Sequence, residues 1–433
     1  MQLTERDKKF IWHPFTPQKN MPAPTAIIRG EGSLLIDENN NSYIDAISSW
    51  WVTLHGHAHP YIAEKIYEQA LRIEQVIFAG FTHQPAVDLA EKLLQLLPAG
   101  FSKVFYSDNG STSTEVALKM AIQYWWNEDG QQEAKSKTAK RNKILAFNNA
   151  YHGDTFGAMS VSDRSVFTLA FHELLFEVIF IDTPTEENLA HTKELINQHE
   201  NEIAAFIYEP LVQGAGGMKM FNADLMNELL GIVKQSGIIC IADEVMTGFG
   251  RTGKFFASEY MQQRPDIICL SKGLTGGTMA LGATVCNAKI YNAYVNDDKL
   301  KTFFHGHSFT ANPLACSAAL GSMDLLIKPE TKRAIEFISE SNRDFMQTVV
   351  SKFAGNSLLP YRNLRALGTI LAFEINEGKD EYLNNVGPVV TQRCMNAGVY
   401  IRPLGNCVYI MPPYCITVDQ LQKVYDVLLT VLV

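Results

Sequence analysis

Six short apolar runs, each closing on a polar or glycine-bearing turn, punctuate the first two thirds of the chain. They are Lys103-Val104-Phe105-Tyr106, Lys143-Ile144-Leu145-Ala146-Phe147, Glu177-Val178-Ile179-Phe180-Ile181, Ala204-Ala205-Phe206-Ile207-Tyr208, Ile238–Ala242 and Asp266–Leu270. Strands buried on both faces read as continuous apolar runs, so each run predicts a strand inside a covered sheet. Between them, Thr114–Trp126 and Leu225–Gln235 repeat their apolar positions at helical spacing. The alternation predicts βα units around a mostly parallel sheet, an α/β architecture. Beyond Asn312-Pro313 a helical stretch, Leu314–Leu326, leads into mixed signals, with Leu364–Asn376 and Val399–Pro413 strand-like. That pattern predicts a smaller C-terminal α+β lobe. The polar stretch Asn127–Arg141 reads as an exposed loop.

Charge and composition narrow the partners. The formal net charge of −9, from 37 basic and 46 acidic residues, argues against a nucleic-acid surface, which needs a dense basic patch. Small molecules are the expected partners. No run approaches the roughly 18 consecutive apolar residues of a membrane span, and Met1–Lys9 lacks the apolar core of a secretory signal. The seven cysteines are scattered, form no C-x-x-C pair and fall mostly in apolar runs. They read as reduced core residues, and a cytoplasmic location follows as an expectation.

Chemistry enters where strands end, because sites in such sheets gather at the carboxyl edge. Ile238–Ala242 runs into Asp243-Glu244, and Asp266–Leu270 into Ser271-Lys272-Gly273. Charges at buried strand ends are costly unless paired. By themselves, Asp243 and Lys272 are equally well read as a structural ion pair. A third element, Asp108-Asn109-Gly110-Ser111-Thr112-Ser113-Thr114-Glu115, follows a strand and opens a helix, and its small residues leave N–H groups and hydroxyls free for a phosphate. An amine, a strand-end carboxylate and a phosphate cup together are what pyridoxal phosphate requires.

On these residues the chain resembles the class III (ω-type) aminotransferases of pyridoxal-phosphate fold type I, along essentially its whole length. The resemblance is carried by Ile241-Ala242-Asp243-Glu244-Val245-Met246-Thr247-Gly248-Phe249-Gly250-Arg251-Thr252-Gly253, by Ser271-Lys272-Gly273-Leu274-Thr275-Gly276-Gly277 and by Asn149-Ala150-Tyr151-His152-Gly153-Asp154-Thr155. It implies a large domain over 49–312 with a mostly parallel, seven-stranded-type sheet. An N-terminal segment, 1–48, would join a small domain over 313–433. It implies, too, that Lys272 holds the cofactor as a Schiff base and then shuttles a proton, that Asp243 keeps the pyridine nitrogen protonated, and that Gly110 and Ser111 bind the phosphate. Tyr151 would lie against the ring. The family pattern further implies a homodimer with shared active sites, in which Gly306, His307 and Ser308 approach the partner's cofactor. The usual residue at Ser308 is Thr, after a Pro; this chain has His307-Ser308 and keeps the hydroxyl.

Within the family, Trp12-His13-Pro14-Phe15-Thr16, Ser48-Ser49-Trp50-Trp51, Gly276-Gly277-Thr278-Met279-Ala280-Leu281 and Arg402-Pro403-Leu404-Gly405 resemble one subfamily. Its members aminate 8-amino-7-oxononanoate in biotin biosynthesis, with S-adenosylmethionine or, in some, lysine as donor. That resemblance implies a substrate channel lined by Phe15, Trp50, Tyr151, Lys272 and Gly306, with Arg402 meeting the distal carboxylate. Phe15 stands where adenosylmethionine users often have Tyr. Many relatives acting on ordinary α-amino acids carry Arg three residues before a Pro-Pro pair, whereas here Tyr409 precedes Pro412-Pro413.

Two other patterns point elsewhere. Gly248-Phe249-Gly250-Arg251-Thr252-Gly253-Lys254 matches G-x-G-x-x-G and most of a P-loop, but Phe255 replaces the metal-binding hydroxyl and five residues separate the strand from the first glycine. His55-Gly56-His57-Ala58-His59 offers three imidazoles without Cys or carboxylate partners at ligand spacing. No metal is expected.

Overall fold

The computed structural model describes residues 3–19, 21–128, 141–356, 359–376 and 386–432. A seven-stranded sheet forms its centre, in the order Phe101–Ser107, Gly282–Asn287, Ile267–Leu270, Ile239–Asp243, Ile203–Tyr208, Lys143–Phe147 and Val178–Ile181. Gly282–Asn287 pairs antiparallel with both neighbours, and the other pairs are parallel. All six residues of Ile203–Tyr208 and all five of Ile239–Asp243 are buried, as expected for strands covered on both faces.

The six expected strands are present with ends shifted by a residue or two. Gly282–Asn287 is an addition, since its small residues leave only Thr284 and Val285 as strand formers. Its size is explained by the helix Gly110–Glu128, which lies on it: Thr284 Oγ1 donates to Ser113 O at 2.8 Å, and a Cβ on Gly282 would stand 2.3 Å from Asn109 O. That helix starts four residues before the apolar periodicity does and continues through Glu128. The stretch expected to be a loop therefore begins helical, with Asn127 buried; residues 129–140 lie outside the described residues.

The C-terminal strand-like stretches resolve into an antiparallel three-stranded sheet of Tyr361–Leu367, Ile370–Ile375 and Cys407–Ile410. Val399–Tyr400 instead joins Ile27–Glu31, Leu34–Asp37 and Ser42–Asp45 in a four-stranded sheet. Gly368 makes the tight turn before Ile370 at φ +58°, pressed so closely on Thr252 and Gly253 that a Cβ would lie 2.2 Å from Thr252 C. Among the described residues no helix is long and apolar enough to cross a membrane.

Candidate active site

Asp243 ends the strand Ile239–Asp243, and Lys272 follows the adjacent parallel strand Ile267–Leu270, so register alone brings the two together. They do not form the ion pair that their sequence positions allow. Asp243 Oδ2 instead accepts from His152 Nδ1 at 2.6 Å, while Oδ1 accepts from Val245 N at 3.0 Å. Lys272 Nζ sits 4.5 Å from the centre of the Trp51 ring. Lys272 also adopts φ +45°, a left-handed conformation that costs a non-glycine residue about 1–2 kcal/mol. Strain of this kind persists where the surroundings fix a side chain for function.

Electrostatics favour a reactive amine. Burial pushes the Lys272 amine down from 10.5 to about 8, against the opposing pull of Asp243 and Glu209. Only the neutral amine attacks an aldehyde, so capture of pyridoxal phosphate by the apoprotein should accelerate with rising pH and level off near pH 8. Stopped-flow absorbance across the neutral to alkaline range measures this; a rate still climbing at the ordinary lysine value of 10.5 would contradict it.

Lys272 and Asp243 open onto a cavity of about 780 Å³ shared with Gly110, Ser111, Tyr151, Phe15 and Trp50. The small-residue cup at the start of the helix Gly110–Glu128 is built by close approach. A Cβ on Gly110 would stand 2.7 Å from Val245 Cγ1, and one on Gly153 2.3 Å from Ser111 Oγ. Ser111 Oγ meets Thr155 Oγ1 at 2.7 Å and accepts from Thr155 N at 3.0 Å. Thr112 is turned away, its hydroxyl donating to Asp108 Oδ1 at 2.7 Å. A helix N-terminus, a hydroxyl, a buried amine and a buried carboxylate around one cavity fit pyridoxal phosphate.

Two further groups, unassigned from sequence, belong to this wall. Besides holding Asp243, the His152 ring is buried, with Nε2 free of any hydrogen-bond partner. Glu209 follows the strand Ile203–Tyr208 as Asp243 ends its own, and the same strand-end rule singles it out. Its carboxylate accepts from Tyr151 N at 3.1 Å and Gly214 N at 2.8 Å, and burial pushes it up to about 7.

At the mouth, the Phe15 ring stands edge-on to Trp50 at 5.4 Å and to Phe167 at 5.9 Å. The Arg402 guanidinium lies 5.0 Å over Trp50 rather than in the cavity lining itself. The paired tryptophans have separate roles. Trp51 is 4% exposed and donates from Nε1 to Tyr409 Oη at 2.9 Å, whereas Trp50 is 38% exposed. Gly306, His307 and Ser308 do not line the cavity of their own chain.

The competing patterns have other structural uses. No helix follows the Gly248–Lys254 loop directly, and Lys254 Nζ donates to Glu259 O, so no phosphate cradle forms there. In the histidine triplet, His55 Nε2 meets Ser322 Oγ at 3.1 Å and His57 Nε2 meets Asp45 Oδ2 at 2.8 Å. Among the described residues no group of three His, Cys, Asp or Glu side chains is placed to hold a metal ion.

This combination of sheet, strand-end pair and phosphate cup defines a class of enzyme, and comparison with known proteins agrees. Residues 15–432 match the family model for class III aminotransferases, and the chain belongs to that pyridoxal-phosphate-dependent family. It is 44% identical over 425 residues to the adenosylmethionine-8-amino-7-oxononanoate aminotransferase of Synechococcus elongatus, covering 96% of each chain. The crystal structure of the enzyme of that name from Methanocaldococcus jannaschii superposes with a TM-score of 0.89 at 34% identity, over 99% of this chain and 98% of that one. A pyridoxal-phosphate-bound amine transaminase from an uncultivated Pseudomonas species gives a TM-score of 0.87 at 28% identity, over 98% of each chain.

Proposed function

We propose that this aminotransferase converts 8-amino-7-oxononanoate to 7,8-diaminononanoate, the amination step of biotin biosynthesis, with S-adenosylmethionine as amino donor. The observation that carries the reading is the aromatic mouth of Phe15 and Trp50 with Arg402 stacked on it. It offers a long aliphatic acid an apolar channel with a cation for its distal carboxylate. Tyr409 supports the same choice: where an α-carboxylate clamp would sit there is a buried phenol bonded to Trp51. The names of the Synechococcus and Methanocaldococcus relatives agree.

Pyridoxal phosphate supplies an aldehyde that captures amines and a protonated ring that spreads the charge left when a Cα proton departs. The chain's residues divide the remaining work. Lys272 Nζ holds the cofactor and carries the proton to and from the substrate carbon. Asp243 keeps the ring nitrogen protonated, and His152 fixes the carboxylate. The N-terminus of helix Gly110–Glu128 and the Ser111 hydroxyl bind the phosphate, and Tyr151 lies against the ring. Gly306 and Ser308 of the partner subunit complete the site beside His307 of the partner subunit.

Support for a homodimer comes from the surface around that segment. Phe304 and Phe309 are 73% and 63% exposed, and Ile77 and Phe81 are 62% and 63% exposed. Asn312 Nδ2 donates to Glu74 O at 3.0 Å and Gln75 donates to Ser308 O, tying together the two stretches that carry these exposed apolar side chains. The four-stranded sheet that unites residues 27–45 with Val399–Tyr400 supports assigning 1–48 to the small domain of 313–433, beside a large domain of 49–312. All seven cysteines are free, six of them buried as expected of core residues and Cys415 exposed, which supports a reducing, cytoplasmic setting.

Separate half-reactions test the proposal. Adenosylmethionine should convert the cofactor rapidly to its amine form, and the oxo-acid should return it. Arg402→Met should raise the Michaelis constant for the oxo-acid about 10- to 100-fold, the worth of a charge-assisted pair, and affect the donor half far less. Rapid conversion by lysine and none by adenosylmethionine would overturn the donor; equal damage to both halves would remove Arg402 from the acceptor site.

A further inference from the structure

We infer that Arg365 is a positioning residue, tying the C-terminal three-stranded sheet to the cavity wall that carries Tyr151. Arg365 lies on the strand Tyr361–Leu367, and its side chain is 15% exposed. Its Nε donates to Met218 O at 2.8 Å and its Nη2 to Gly217 O at 2.5 Å. Nη2 also pairs with Glu374 Oε1 at 2.8 Å, from the neighbouring strand Ile370–Ile375. From the third strand of the sheet, Cys407 Sγ donates to the same Gly217 carbonyl at 3.2 Å.

The segment so held is the turn between the short paired strands Val212–Gln213 and Lys219–Met220, closed by Gly217 N and Met218 N donating to Gly214 O at 3.2 and 3.0 Å. Gly214, Gly216 and Gly217 lack side chains: a Cβ on Gly216 would stand 2.3 Å from Asn149 O, which forbids one there, and a Cβ on Gly214 would press on Met246 Cε at 3.0 Å. Gly217 sits at φ +94°. Such a stretch keeps its shape through bonds to its backbone. From the sheet side this is Gly214 N to Glu209 Oε2 at 2.8 Å, beside the Gln213 side chain, whose Nε2 donates to Asn148 O at 2.8 Å. From the C-terminal side they are the bonds of Arg365 and Cys407.

Glu209 extends the connection to the active cavity, since its second oxygen accepts from Tyr151 N at 3.1 Å. A continuous path thus runs from Arg365 through Gly217, Gly214 and Glu209 to Tyr151. The guanidinium suits this place because its planar fork reaches three backbone carbonyls, those of Gly217, Met218 and Asn363, and a carboxylate at once, which a lysine ammonium on a flexible stem does not. The consequence for catalysis rests on the proposed place of Tyr151 against the cofactor ring. The tie itself is read from amide exchange, so failure of the tie and failure of the cofactor assignment are distinguishable.

Hydrogen exchange of the cofactor-loaded protein tests the inference. Arg365→Met keeps the aliphatic stem and removes every donor; exchange at Gly214–Met218 and at the Tyr151 amide should accelerate about tenfold or more, with the strands Ile203–Tyr208 and Ile239–Asp243 unchanged. Arg365→Lys keeps a cation for Glu374 and should show the same local pattern at smaller amplitude. Wild-type exchange at Tyr151 in both variants, or acceleration spread equally into those strands, would overturn the positioning role.

Discussion

Lys272→Ala should fold and still bind pyridoxal phosphate through the proposed phosphate cup, yet lose transamination by at least about 10⁴-fold, because on the proposed assignment it removes nucleophile and proton carrier together. Folding should survive because the Lys272 amine makes no ion pair with Asp243; its nearest defined partner is the face of Trp51. The substitution also truncates a residue held at φ +45°, where alanine is strained like lysine, so the backbone cost is unchanged. Single-turnover absorbance with the amino donor, beside a circular-dichroism melting curve, checks both halves. Turnover at the wild-type rate would remove Lys272 from the chemistry.

Asp243→Asn should lower the rate of the proton-transfer step by about 10²–10³-fold, the range seen when a fixed electrostatic stabiliser is lost. The shape changes little: an asparagine oxygen can still accept from Val245 N, as Oδ1 does now at 3.0 Å. What disappears is the charge proposed to keep a ring nitrogen protonated, together with the acceptor for His152 Nδ1. Pre-steady-state rates with deuterated donor measure the step. An unchanged rate would make Asp243 a structural partner of His152 and nothing more.

The sheet was legible because its strands are buried on both faces and so read as unbroken apolar runs. Gly282–Asn287 hid because the helix above it demands small residues, which leave only Thr284 and Val285 as strand formers. The strand ends led to Asp243 and Lys272, but whether they pair depends on a third residue distant in sequence, His152. Trp50 and Trp51 show a further limit. Ser48, Ser49 and Trp51 all take positive φ, and it is this irregular turn, invisible in the sequence, that buries one indole beneath Lys272 and leaves the other at the mouth. Glu209 obeys the same strand-end rule as Asp243, but only the fold shows that its two oxygens gather Tyr151 and Gly214.

Borohydride reduction of the purified, cofactor-loaded protein, followed by peptide mass mapping, tests the central claim most directly. A covalent link between cofactor and lysine would become permanent, and the cofactor's added mass should appear on the peptide containing Lys272 and vanish in Lys272→Ala. Mass on another lysine, or on none, would contradict the assignment of Lys272 as the residue that holds the cofactor.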